Sequence, residues 1–282
     1  RIALRVNPNV DPKVHPYIST GLKENKFGIP FERVKGIIQQ IKHMPHLEMT
    51  GMACHIGSQI TSLEPYLDAL SKLLKLIGEL EADGILLQHL DIGGGLGVRY
   101  KDETPPEPFV LAKAIVSHLK RSDLKIIVEP GRAIAANAGI LVTKVLLLKE
   151  AEKNFCVVDA GMNDLLRPAL YDAWQEIVPV LHREGPLKAY DVVGPICESA
   201  DCFGKGRKLC VAPHDLLAIR GAGAYGFVMS SHYNTRPNPP EILVMDDTAY
   251  CVRKRETLDD LMQHESLLDS ESAENFFRFN VR

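Results

Sequence analysis

Three apolar runs in the first half of the chain, MACHIGSQ (52–59), LDIGGGLG (90–97) and IIVEPGR (126–132), end in residues suited to chemistry. Gly93, Gly94 and Gly95 have no Cβ, so their backbone N–H groups can approach an anion closely. The same run also reads as a tight turn with no ligand. Burying Glu129 at a strand end is costly unless a cation meets its carboxylate. That cation is either a protonated ring nitrogen of a ligand or Arg132, three residues on. His55, taken by itself, reads more simply as a satisfied core histidine than as a catalyst. Arg167 and Tyr171 stand four apart and share a face if LRPALY is helical, with Pro168 in its first turn. Arg132 and Arg167 together offer the fork of donors that fits a carboxylate.

These residues need elements that bring strand ends together. Residues 1–132 alternate strands with amphipathic helices: RIALRV, the helix 31–44, MTGMACHI, the helix 66–83, HLDIGG, the helix 109–120, then KIIVE. Such alternation predicts parallel strands with right-handed crossovers, whose C-terminal ends converge on one mouth as in a (β/α) barrel. Val34, Ile37, Ile38 and Ile41 share one face of the first helix, and Leu67, Leu70, Leu74 and Ile77 one face of the second. After about residue 139 the pattern changes to short β-rich runs, which predict an antiparallel sheet or barrel. The expected fold is therefore α/β plus β: residues 1–138 as the C-terminal half of a (β/α)8 barrel, 139–268 as a β-rich domain of sandwich or barrel type, and 269–282 as a polar, fraying tail. Four β/α units are half of a closed barrel, so a preceding N-terminal half is expected on a longer polypeptide.

Composition narrows the class. The 282 residues are 45% hydrophobic and 24% charged with a net charge of −3, enough for one large core or two moderate ones. The basic residues are dispersed rather than gathered into a stripe, which argues against a nucleic-acid partner. No apolar run approaches the roughly 20 residues of a membrane helix, and the start lacks the pattern of a signal peptide, so a cytoplasmic address is the default. The six cysteines, Cys54, Cys156, Cys197, Cys202, Cys210 and Cys251, are too sparse for a disulfide framework and none pairs as CxxC. Most are expected to be small buried thiols, and no metal site is expected.

Six segments in order, CHIGSQ (54–59), DIGGGLG (91–97), EPGRAI (129–134), LLRPALY (165–171), GPICESAD (194–201) and GAGAYGF (221–227), resemble the fold-type III pyridoxal phosphate-dependent decarboxylases. NPNVDPKVHPYISTGLKENKFGI (7–29) resembles the family's segment after a mid-barrel strand, so the likeness covers nearly the whole chain. The resemblance implies a pyridoxal 5′-phosphate cofactor. Its phosphate would be held by the Gly94–Gly95 loop with Ser58 and Tyr225, its ring stacked by His55, and its pyridinium nitrogen met by Glu129, with Gly131 and Arg132 also beside it. The substrate would be contacted by Arg132, Arg167, Tyr171 and Tyr225, with Glu198 on a distal ammonium. Cys197 would protonate the carbanion left by CO2, and because that segment enters the neighbouring subunit's site in the family, a homodimer is implied with Cys197 and Glu198 acting in trans.

The activity implied is decarboxylation of meso-2,6-diaminopimelate to L-lysine, since two amino-acid ends suit arginines at one pole and a carboxylate at the other. Two alternatives remain: decarboxylation of a related basic amino acid such as ornithine or arginine, and a non-catalytic decoy. One family hallmark has no counterpart, the lysine in an aromatic-Ala-x-Lys-Ala-like segment that holds the cofactor covalently. Lys23, Lys26 and Lys125 are not flanked in that manner, so this lysine is expected on the N-terminal portion and the chain alone is expected to be inactive.

Overall fold

A computed structural model describes residues 1–12, 14–15, 20–21, 26–150 and 152–267. Strands β1 (Ile2–Asn7), β2 (Ile29–Pro30), β3 (Met49–Ala53), β4 (His89–Asp91) and β5 (Lys125–Ile127) form one sheet in the order β2-β1-β3-β4-β5, every neighbouring pair parallel. Helices α1 (Phe31–Lys42), α2 (Glu64–Ala82) and α3 (Pro108–Leu119) fall between strands, as the alternation requires. Pro65 and Pro108 sit in the first turns of α2 and α3, where a missing N–H costs no hydrogen bond.

The helix faces follow the 3.6-residue period, with one adjustment. Helix α1 buries Val34, Ile38 and Ile41, and Ile37 packs at the margin. Helix α2 buries Tyr66, Ala69, Leu70, Leu73, Leu76, Ile77 and Leu80, whereas the expected Leu67 and Leu74 are only half-buried. The helix is apolar on more than one narrow stripe, and packing selects the side centred on Leu73 and Ile77, both fully buried.

The backbone ladder continues past the strand ends. Cys54 N–H donates to the Asp91 carbonyl at 2.9 Å, Ile92 to Ile127 at 3.1 Å, and Glu129 to Gly93 at 2.9 Å. The loops carrying the chemistry are thus anchored to each other by main-chain bonds.

The second sheet contains β6 (Ile140–Lys149), β7 (Phe155–Val158), β8 (Ile177–Pro179), β9 (Lys188–Val193), β10 (Cys202–Leu209) and β11 (Leu216–Arg220) in the order β10-β9-β7-β6-β11-β8. It is mixed rather than purely antiparallel, because β7 and β9 pair in parallel. Strand β10 carries little strand pattern in its residues. Its sequence CFGKGRKL buries only Phe203 and Leu209, and as an edge strand it carries lysines that blunt an open edge. Short helices α4 (Arg132–Ala135) and α5 (Arg167–Tyr171) lie on either side of β6 and β7 in the chain.

The chain divides into two compact units, Arg1–Met229, which contains both sheets, and a second from Ser230 onward. The second holds an antiparallel hairpin, β12 (Glu241–Met245) and β13 (Thr248–Arg253), and α6 (Leu258–Met262), whose start is closed by a reciprocal Thr257–Asp260 capping box. The expected fraying tail, 269–282, and Lys23 lie outside the described residues. No helix among the described residues is long and apolar enough to cross a membrane.

Candidate active site

The loops after β3, β4 and β5 meet in a seam of glycines. A Cβ on Gly94 would stand 2.0 Å from the Glu129 carbonyl oxygen, and one on Gly95 2.1 Å from that of Gly57. Gly93 and Gly95 also have φ of +72° and +96°, a region that side chains disfavour. The glycine run therefore has a structural cause in close backbone approach. Around it, the Tyr66 hydroxyl donates to the Gly94 carbonyl at 3.2 Å and Ile60 N–H to the Gly95 carbonyl at 2.9 Å. At Gly131 a Cβ would meet nothing, so open space lies beside the end of β5.

A group of cationic and aromatic side chains packs beside this seam. Arg132, 5% exposed, donates from Nη2 and Nε to Ser58 Oγ at 3.0 and 3.3 Å and from Nη1 to the Tyr100 hydroxyl at 2.6 Å. Its guanidinium carbon lies 4.8 Å from the Tyr225 ring centroid. Arg167, 6% exposed, stands over the Tyr100 ring at 4.4 Å, and its Nε and Nη1 are buried with no hydrogen-bond partner. Burial pushes the Arg167 pKa down and the charge of Arg132 adds to this, against Tyr100, Tyr171 and Glu103. A buried guanidinium with idle donors is costly in a folded protein and is poised to take an anion. Tyr225 holds φ of +55°, and such strain in a non-glycine residue, about 1–3 kcal/mol, tends to cluster at functional sites.

The remaining predicted residues surround these groups to different degrees. His55 Nδ1 accepts the Gly94 N–H at 3.2 Å, which sets its tautomer with the proton on Nε2. Burial lowers its pKa, Arg5 lowers it further and Asp91 opposes, so the ring is neutral at neutral pH. Glu129 is exposed at the end of β5. Arg132 turns to Ser58 and Tyr100 instead of pairing with it, so the Glu129–Arg132 ion pair considered from sequence does not form. Arg167 and Tyr171 open and close α5, and the Tyr171 ring meets His15 edge-on at 5.7 Å. Cys197 and Glu198 are exposed on the turn after β9.

The cysteines depart from expectation, since only Cys54 and Cys156 are buried, with pKa values pushed up to about 12 and about 11 by burial. Cys202 and Cys210 are half-buried and Cys251 is exposed like Cys197. All six are free thiols. Among the described residues no cluster of three or more His, Cys, Asp or Glu could hold a metal.

Three organising residues were not singled out from sequence. Tyr100 joins the two arginines. Gln59 clamps Val98, donating from Nε2 to its carbonyl at 2.6 Å and accepting its N–H at Oε1 at 3.1 Å. Asp201, 3% exposed, accepts the N–H groups of Met162 and Ile196, both at 2.7 Å, and so ties the Cys197 turn to the loop after β7. The available signals were Gln59's place at the end of CHIGSQ and Asp201's at the end of GPICESAD. Nothing in GVRYKDE marks Tyr100.

Residues 1–136 match the pyridoxal-binding domain of the pyridoxal-dependent decarboxylases. The chain is 56% identical over 269 residues to diaminopimelate decarboxylase of Vibrio cholerae, covering 95% of this chain and 64% of that protein. It therefore spans just under two thirds of that relative's length. The crystal structure of the Helicobacter pylori diaminopimelate decarboxylase, complexed with L-lysine, superposes with a TM-score of 0.89 at 45% identity, covering 93% of this chain and 66% of that one. A further solved diaminopimelate decarboxylase gives 0.83 at 32% identity, covering 95% of this chain and 68% of that one. With the parallel sheet, the glycine seam and the guanidinium pair in the same chain as these likenesses, the chain belongs to the diaminopimelate decarboxylase family of pyridoxal-dependent decarboxylases.

Proposed function

We propose that the protein decarboxylates meso-2,6-diaminopimelate to L-lysine and CO2 with pyridoxal 5′-phosphate as cofactor. The observation that carries this reading is the pair of buried guanidiniums, Arg132 and Arg167, with idle donors on the second: they suit the carboxylate of an amino-acid substrate. The Helicobacter relative, solved with L-lysine, holds the product this reaction would release.

The residues present fit the cofactor. Ser58 and Tyr225 both contact Arg132, and the exposed Glu129 and open space at Gly131 adjoin Arg132 in the chain. When bound, pyridoxal phosphate supplies an electron sink for the electrons left on carbon as CO2 departs. Ser58, Gly94, Gly95 and Tyr225 serve the phosphate group, with Gly131 and Arg132 also against the cofactor. The Glu129 carboxylate keeps a proton on the ring nitrogen, and neutral His55 presents an uncharged ring face. Arg132 and Arg167 orient the substrate carboxyl group, with Tyr171 beside them, and Glu198 meets the distal ammonium. Cys197 Sγ delivers a proton to the carbon that lost CO2. Its exposure and that of Glu198 suit a homodimer in which this turn enters the partner's site. The five-stranded sheet serves as the C-terminal half of a (β/α)8 barrel, and the lysine that holds the cofactor is assigned to a segment outside these residues.

CO2 release from diaminopimelate and from ornithine by the cofactor-loaded protein, supplied with the segment that carries the cofactor lysine, tests the reading. Faster turnover of ornithine would overturn the substrate, and a folded, loaded protein that releases no CO2 from either would make it a binding homologue.

A further inference from the structure

Tyr100 is the contact shared by both buried arginines. Its hydroxyl accepts Arg132 Nη1 at 2.6 Å, and its ring lies under the Arg167 guanidinium at 4.4 Å. The residue is itself fixed. Its backbone N–H donates to Glu103 Oε2 at 3.0 Å, as does that of Lys101 at 2.6 Å. Burial alone would raise the Glu103 pKa, but the amides of Lys101, Glu103, Tyr100 and Asp102 together hold it below the usual carboxylate range. On another side, a Cβ on Gly221 would come within 2.9 Å of the Tyr100 ring, so only glycine lets that loop close against it.

Two guanidiniums near one another repel, and each has several rotatable bonds. A donor pair that must fork one carboxylate needs its spacing held before the ligand arrives, because orientation set in advance is not lost on binding. Nothing else in the structure touches both arginines in this way among the described residues. We propose that Tyr100 is a positioning residue that sets Arg132 and Arg167 as one carboxylate clamp, the hydroxyl fixing the first and the ring face the second. This rests on the functional reading above only for the identity of the carboxylate.

The test compares L-lysine with cadaverine, the same diamine lacking the carboxylate, as ligands of the cofactor-loaded full-length protein and of its Tyr100→Phe and Tyr100→Leu variants. Losing a hydrogen bond to a charged group is expected to weaken L-lysine binding about tenfold in Tyr100→Phe. Removing the ring face as well is expected to bring the loss to roughly a hundredfold in Tyr100→Leu. Cadaverine affinity is expected to be unchanged in the isosteric Phe variant, and KM for diaminopimelate to rise more than kcat falls. Equal weakening of both ligands in Tyr100→Phe would reduce Tyr100 to a general structural residue, and undiminished L-lysine affinity in a folded Tyr100→Leu protein would also overturn the proposal. Because the ligand comparison needs no turnover, a wild-type protein inactive on diaminopimelate would reject the proposed reaction while leaving this result readable.

Discussion

The glycine seam and the arginine pair lie side by side yet are built on opposite principles. The seam is a backbone device: carbonyls and N–H groups from three loops approach so closely that no side chain fits. The pair is a side-chain device that holds two cations in a buried place with donors to spare. The first contributes stability and shape. The second detracts from stability, and in the proposed function those spare donors are what meet a carboxylate.

Substitutions should therefore divide by sign. Gly94→Ala drives a Cβ onto the Glu129 carbonyl and should destabilise by about 3 kcal/mol, read as a lowered thermal midpoint. Gly131→Ala, whose Cβ meets nothing, should stay within ~0.5 kcal/mol. A Gly94→Ala protein as stable as wild type would remove the distinction between the two regions. Asp201→Asn comes next, because it weakens two charge-assisted bonds that hold the Cys197 turn. A loss of about 2 kcal/mol is expected by chemical denaturation.

Arg167→Met should move the other way, raising stability by about 1 kcal/mol because an unpaired buried cation is replaced by an apolar chain of similar length, while abolishing L-lysine binding. A destabilised variant would show that Arg167 has a partner role the seam comparison omits. The smallest effect is on pH. His55 has a folded pKa below its unfolded value, so its contribution is complete above the unfolded imidazole pKa of about 6.5 and is lost as pH falls toward the folded value. Denaturation midpoints of wild type and His55→Gln should diverge below that pH, with wild type falling more steeply.

Legibility in sequence followed the same division. The parallel alternation, the buried faces of α1 and α2 and the strand-end position of Gly93–Gly95 were readable because they repeat locally or exclude a side chain. Strand β10 was not readable, because a polar edge strand with two buried residues has no apolar pattern to detect. The parallel β7–β9 pair was equally hidden, since nothing in either strand states which neighbour it will take.

The six motifs named candidate residues one by one, but not how those residues are wired together. Arg132 had an acidic neighbour in sequence and a plausible ion pair with it, and the fold gave it Ser58, 74 residues away, and Tyr100, 32 away. Sequence by itself determined which residue types stand at the strand ends and therefore which chemistry is available, because hydrophobic period and glycine placement are local properties. Tertiary structure alone decided that Tyr100 stands between two arginines and that Arg167 keeps idle donors, because those facts arise from desolvation and contact among segments distant in the chain.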